Sequence, residues 1–181
     1  MAFSWLSTLL FLISALLVEN SQSKKNICED NCCLFIENFP VRLKELRTAF
    51  SQIRDYYEAS DELIDTALLD EALLEELHSP FGCHAMKEVL RFYLDLVLPA
   101  AAKDKGNDFM HPLNSIGNIF IDLKANLNRC RRYFSCKKTF EIENITNEYR
   151  KMEGKGLYKA MGELDLLFNY IEEYLVRKRS H

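Results

Sequence analysis

Six cysteines carry the reactive side chains whose spacing invites chemistry: Cys28, Cys32, Cys33, Cys83, Cys130 and Cys136. An even number in a chain bound for an oxidising compartment reads as three disulfides. Fifteen connectivities are possible, and spacing alone does not choose among them. Cys32 and Cys33 are too close along the backbone to bond each other easily, so they serve different partners. Zinc is a poor alternative. There is no paired C-x-x-C, and none of His78, His84, His111 or His181 completes a usual ligand spacing. Catalysis is equally poorly supported. The adjacent acids Glu75–Glu76 and Glu172–Glu173 point to different sides of a helix and do not converge. No Gly-rich phosphate loop, G-x-S-x-G or H-E-x-x-H occurs. The expectation is a protein that is not an enzyme and uses no cofactor or metal. Two surface features remain. Asn144-Ile-Thr146 is a glycosylation sequon. Arg129, Arg131, Arg132, Lys137 and Lys138 form a basic cluster, suited either to sulfated glycans or to the negative end of a helix.

The compartment follows from the N-terminus. Trp5–Val18 is apolar apart from Ser7, Thr8 and Ser14, and Asn20–Ser23 is small and polar. The run is short for a membrane span and reads as a secretory leader, residues 1–23, cleaved near Ser21–Ser23. Its n-region has neither Lys nor Arg. Residues 24–181 form the expected secreted domain, with no membrane insertion. Losing the leader removes one acid, Glu19, and leaves a net charge of −3. A balance so near neutral does not call for nucleic acid as partner.

The elements that must position these residues are helices. Leu157, Met161, Leu164, Phe168, Ile171 and Leu175 recur in steps of four and three, which predicts one helix over Lys155–Tyr174. Lys159, Glu163, Asp165, Glu172 and Glu173 are expected on its solvent face. Leu43, Leu46, Phe50, Ile53 and Tyr57 predict a first helix entered through Pro40. Leu63, Leu68 or Leu69, Leu73 and Leu77 predict a second, opening at Ser60-Asp-Glu. A third covers 81–98 and is ended by Pro99. Leu113, Ile116, Phe120, Leu123, Leu127, Cys130 and Phe134 make the cleanest stripe, with Pro112 at its start. Ile142, Ile145, Tyr149 and Met152 give a short fifth. Lys103–Asp108 reads as loop. The fold class is therefore all-α, with six helices and no strand. About four residues, Cys136–Thr139, join the fourth and fifth helices. So tight a connection can keep the last two helices off their own chain, which is the logic of a swapped dimer.

Several segments in order resemble the interleukin-10 family of class II helical cytokines. They are Phe39-Pro-Val-Arg-Leu-Lys-Glu-Leu-Arg-Thr-Ala-Phe50, Leu68-Leu-Asp-Glu-Ala-Leu-Leu-Glu-Glu76 and Gly82-Cys-His-Ala-Met86 with Phe92-Tyr-Leu94 and Leu98-Pro99. Asn114-Ser-Ile-Gly117, Arg129-Cys-Arg-Arg-Tyr-Phe-Ser-Cys136, Lys155-Gly-Leu-Tyr-Lys-Ala-Met161 and Asn169-Tyr-Ile-Glu172 complete the set. The resemblance implies a six-helix cytokine that forms an intertwined homodimer. Each lobe then combines four helices of one chain with the last two of the other. It implies the bridges Cys32–Cys130 and Cys83–Cys136. Cys28 and Cys33 depart from the mammalian pattern, and a third bridge between them is the simplest inference. It further implies clustering of cell-surface interleukin-10 receptor chains, JAK–STAT signalling and immune, anti-inflammatory regulation. The receptor-contact positions carried over are Lys44, Arg47, Arg54, Glu58 and Asp65, then Lys159, Gly162, Glu163, Asp165 and Glu172. Lys44, Arg54 and Glu58 keep polarity rather than identity, Gly162 stands where serine is usual, and one residue is inserted near Ile64. The rival is a saposin-like lipid-binding module, also helical with six cysteines. There the cysteines sit pairwise on terminal helices, whereas here three crowd the N-terminus and none follows Cys136.

Overall fold

The computed structural model describes residues 30–136 and 143–179, and every regular element among them is helical. Helix α1 is Asn31–Ser51. Asp30 caps it, accepting the Cys32 N–H at 3.3 Å. It therefore starts nine residues before Pro40, where entry was expected. Ile36 and Phe39 continue the buried stripe of Leu43, Leu46 and Phe50 upstream, and that burial outweighs the bond Pro40 cannot donate. The helix lapses at Gln52–Ile53 and resumes as α2, Arg54–Ala59.

The second helix also differs from expectation. Residues 60–70 are not helical, and α3, Glu71–His78, begins where Asp70 accepts the Leu73 N–H at 2.9 Å. After it, α4 is Gly82–Phe92. A side chain at Gly82 would fall on the Leu77 carbonyl, so the tight α3–α4 turn requires glycine there. A π-turn, Tyr93–Val97, then leads directly into α5, Leu98–Arg129. Pro99 does not end the helix, as the sequence had implied. The π-turn shifts the register, with Leu98 N–H bonded to the Tyr93 carbonyl, and Pro99 lands in the first turn of α5, where its missing N–H costs little. Pro112 lies inside α5 rather than at a start, and the Lys103–Asp108 run is helical except at Lys105 (φ −133°, ψ 27°). The chain closes with α6 (Glu143–Lys151), α7 (Lys155–Gly162) and α8 (Leu164–Arg179).

The core is one cluster. α1 packs against both α5 and α8, α2 against α7, and α3 against α4 and α8. Leu113, Ile116, Phe120, Leu123, Leu127, Cys130 and Phe134 are all buried. Edge-to-face rings run through the centre: Phe50–Phe168 at 5.9 Å, Phe168–Phe120 at 6.3 Å and Phe120–Tyr93 at 6.0 Å. They tie α1, α8, α5 and the π-turn together. Tyr93 satisfies its buried hydroxyl by donating to the Ala160 carbonyl at 2.8 Å. Here α7 and α8 fill the groove of their own chain.

Two bridges staple this core. Cys32 bonds Cys130 (Cα–Cα 5.6 Å) and Cys83 bonds Cys136 (5.0 Å). Cys33 is also disulfide-bonded. Its expected partner Cys28 lies outside the described residues, as do Lys137, Lys138 and Ile142. The Cys32–Cys130 link spans 98 residues. Chain entropy gives such a loop about 4–5 kcal/mol, against about 2 kcal/mol for one as short as Cys28–Cys33. Cys130→Ser should therefore abolish secretion from cultured cells, while Cys28→Ser with Cys33→Ser leaves it largely intact. Equal secreted yields, read by immunoblot, would contradict that ranking.

Candidate functional site

The ten positions singled out for a partner surface fall on α1, α2, the 60–70 segment, α7 and α8. Two of them, Lys159 and Glu163, form a buried charge cluster with Asp61 at the end of α7. Lys159 Nζ lies 2.6 Å from Asp61 Oδ2 and 3.8 Å from Glu163 Oε1. The three side chains are only 6%, 15% and 13% exposed, respectively. Glu163 accepts the Leu68 N–H at 3.1 Å and the Leu69 N–H at 2.8 Å. Asp61 also accepts the Leu63 N–H at 3.0 Å. Tyr170 donates its hydroxyl to the Leu69 and Asp70 carbonyls at 3.2 and 3.3 Å. Both ends of the non-helical segment are thus fixed to α7 and α8.

This arrangement corrects two expectations. Lys159 and Glu163 do not lie on a solvent face; they point into the seam with the 60–70 segment. Nor is 155–174 a single helix. It breaks at Glu163 (φ −86°, ψ 7°), between α7 and α8. Helical periodicity within 155–174 could not reveal either fact, because the partners come from about a hundred residues away. Asp61 is the member that the sequence reading missed. Its Ser-Asp-Glu context has the pattern of a helix start, whereas the carboxylate serves a turn and a buried lysine.

The remaining positions form a mixed-charge rim. Arg47 reaches from α1 to α8, with Nη2 2.8 Å from Glu172 Oε2 and 2.9 Å from Asn169 Oδ1. Lys44 is exposed one turn earlier on α1. Arg54 sits among acids, 3.4 Å from Asp55 and 3.8 Å from Glu58. Glu58 and Asp65 are exposed, and Asp165 is half-buried in the first turn of α8. Gly162 closes the seam against α2. A Cβ there would lie 3.7 Å from Asp61 Oδ2 and 4.0 Å from the Glu58 Cα, ordinary contact that leaves room for a serine. Asn144 falls in α6, and its side chain is not among those described.

The family model described as Interleukin 10 matches residues 6–177. The chain belongs to the interleukin-10 family. Interleukin-10 of Gallus gallus is 42% identical over 152 residues, 83% of this chain and 86% of that protein. Interleukin-10 of Trichosurus vulpecula is 38% identical over 165 residues, covering 91% and 94% of the two chains. That of Felis catus is 37% identical over 171 residues, covering 94% and 95%. In this member of the interleukin-10 family, the buried cluster fixes the 60–70 segment that carries Asp65.

Burial raises the Glu163 carboxyl above its ordinary pKa, outweighing the Leu69 and Leu68 N–H donors and Lys159. A carboxyl with a raised folded-state pKa favours folding when protonated. That contribution is present at acid pH and is lost as pH rises through the folded-state value. Glu163→Gln removes the titration. As pH falls from neutral toward 4.5, wild type should therefore gain stability relative to Glu163→Gln. Urea unfolding of both proteins at several pH values checks this, and a pH-independent difference would refute it.

Proposed function

We propose that this chain acts as a secreted cytokine that binds and clusters interleukin-10-type class II receptors at the cell surface. It is a signalling ligand rather than an enzyme, and the lipid-binding module is set aside. Its output is JAK–STAT signalling with an immune, anti-inflammatory role. The observation that carries this reading is identity to interleukin-10 proteins across most of both chains. The secretory leader is residues 1–23 and the mature domain 24–181, with Asn144 as glycan acceptor and Cys28–Cys33 as third bridge.

The receptor surface combines Lys44, Arg47, Arg54, Glu58 and Asp65 with Gly162, Asp165 and Glu172. Mixed-sign rims of this kind steer approach and fix orientation. Lys159 and Glu163 contribute from below by holding the 60–70 segment in place. Clustering follows from a homodimer in which the last helices are exchanged. The groove between α1 and α5 accepts the apolar face of α7 and α8 whichever chain supplies it. Cys136 is tethered to Cys83, and α6 begins at Glu143. The connection reaches the groove of its own chain here, and exchanging the last helices between two copies would satisfy the same contacts under two-fold symmetry.

One further contact is supported by a specific observation. Lys87 on α4 is held below the ordinary lysine pKa, first by burial, then by Arg131, with Lys124 adding to it. Arg131 and Lys124 thus act on Lys87 against the opposing Glu88, and Arg129 and Arg132 neighbour Arg131 in the sequence, a concentration of cations that suits sulfated glycans.

Purified mature protein should run at twice the chain mass and bind an immobilised high-affinity interleukin-10 receptor ectodomain. Arg47→Ala with Asp165→Ala should weaken that binding by roughly tenfold or more while leaving the dimer mass unchanged. Unchanged affinity would remove the rim from the interface. On a heparin column the protein should stay bound near physiological salt, and elution well below it would leave the basic cluster as helix-end cations.

A further inference from the structure

Ile64 is 87% exposed, the most exposed of the large apolar side chains among the described residues. A lone surface isoleucine is ordinary in itself. Its setting here is not. The Thr66 N–H bonds to the Leu63 carbonyl at 3.2 Å, closing a turn with Ile64 and Asp65 at its apex. Turn chemistry gives no reason for isoleucine, since apex positions favour Pro, Gly, Asn or Asp. The feet of the turn are fixed by buried charge. Asp61, held by Lys159, accepts the Leu63 N–H, and Glu163 accepts those of Leu68 and Leu69. Leu68 and Leu69 are themselves buried. An apolar side chain is therefore displayed on a backbone that has already lost its freedom.

Such preorganisation removes most of the ordering cost of binding. The surroundings have the anatomy of an interface centre, an apolar knob within a charged rim. Glu62 and Asp65 flank it along the chain and are exposed, with Lys155 paired to Glu62 at 2.7 Å. Acids outnumber bases there, so the complementary surface must carry cations.

We infer that Ile64 is the apolar anchor of the receptor contact, seated in an apolar recess whose edge carries basic side chains. This rests on the receptor-binding reading above. Asp61, Lys159 and Glu163 act as positioning residues for it.

The test uses the purified mature protein on the immobilised high-affinity interleukin-10 receptor ectodomain. Ile64→Ala should weaken binding at least about fivefold, mainly through faster dissociation, with melting temperature and mass unchanged. Ile64→Thr keeps the branched shape at the turn and should weaken it as well. Ile121→Ala removes another exposed isoleucine (55%), on α5, and should change nothing. A smaller loss for both Ile64 variants, alongside a clear loss for Arg47→Ala with Asp165→Ala, would overturn the anchor and leave the receptor reading standing. A wild-type protein that fails to bind would overturn both.

Discussion

Lys159 places an ammonium group where only 6% of its side chain meets solvent, and an ion so placed must be matched by charge and hydrogen bonds. Asp61 and Glu163 supply the match, and each has a second task. Asp61 turns the chain after α2. Glu163 leaves the helical path to reach two backbone N–H groups near α3. The course of residues 60–70, and with it the placement of Asp65, follows from satisfying this buried cluster. Removing a single member would strand the others, at a cost of about 3–5 kcal/mol in comparable buried pairs.

The second constraint is apolar. The face of α7 and α8 carrying Ala160, Met161, Leu164, Leu167, Phe168, Ile171 and Tyr174 is buried against Phe50, Tyr93 and Phe120. Dispersion and burial do not distinguish one copy of a helix from another. Whether the groove is filled from within or from a second copy therefore depends on the connection rather than on the contact. Arg47–Glu172 lies across the same seam, half-exposed on both sides, so it adds orientation and little energy.

The apolar stripes were legible because periodicity is a property of one helix at a time. The stripe Leu113, Ile116, Phe120, Leu123, Leu127, Cys130 and Phe134 is buried at every position, and Leu164, Phe168 and Ile171 face the core. Boundaries were harder to read. Pro40 and Pro112 mark helix starts in the sequence and Pro99 an end, yet burial at Ile36 and Phe39 extends α1 upstream of Pro40, the π-turn carries the chain past Pro99, and Pro112 lies inside α5. The charged face of the last helix was the least legible part. Lys159 and Glu163 have the spacing of solvated residues, and only the approach of Asp61, Leu68 and Leu69 turns them inward. Of the candidate positions, Arg47 and Glu172 do reach each other, a pairing that no spacing rule could supply across 125 residues.

A buried ionic cluster is a costly way to hold a loop if stability is the only aim, because well-packed apolar side chains often do as well or better. What charge adds is direction. An apolar seam would tolerate sliding by a fraction of a residue, whereas two N–H groups on one carboxylate, and one ammonium on another, admit a single register. The segment so fixed buries Leu68 and Leu69 yet leaves Ile64 in solvent. Stability alone would be served by apolar burial throughout. The combination of strict placement below and apolar exposure above makes sense when the outward surface has to be met by another molecule.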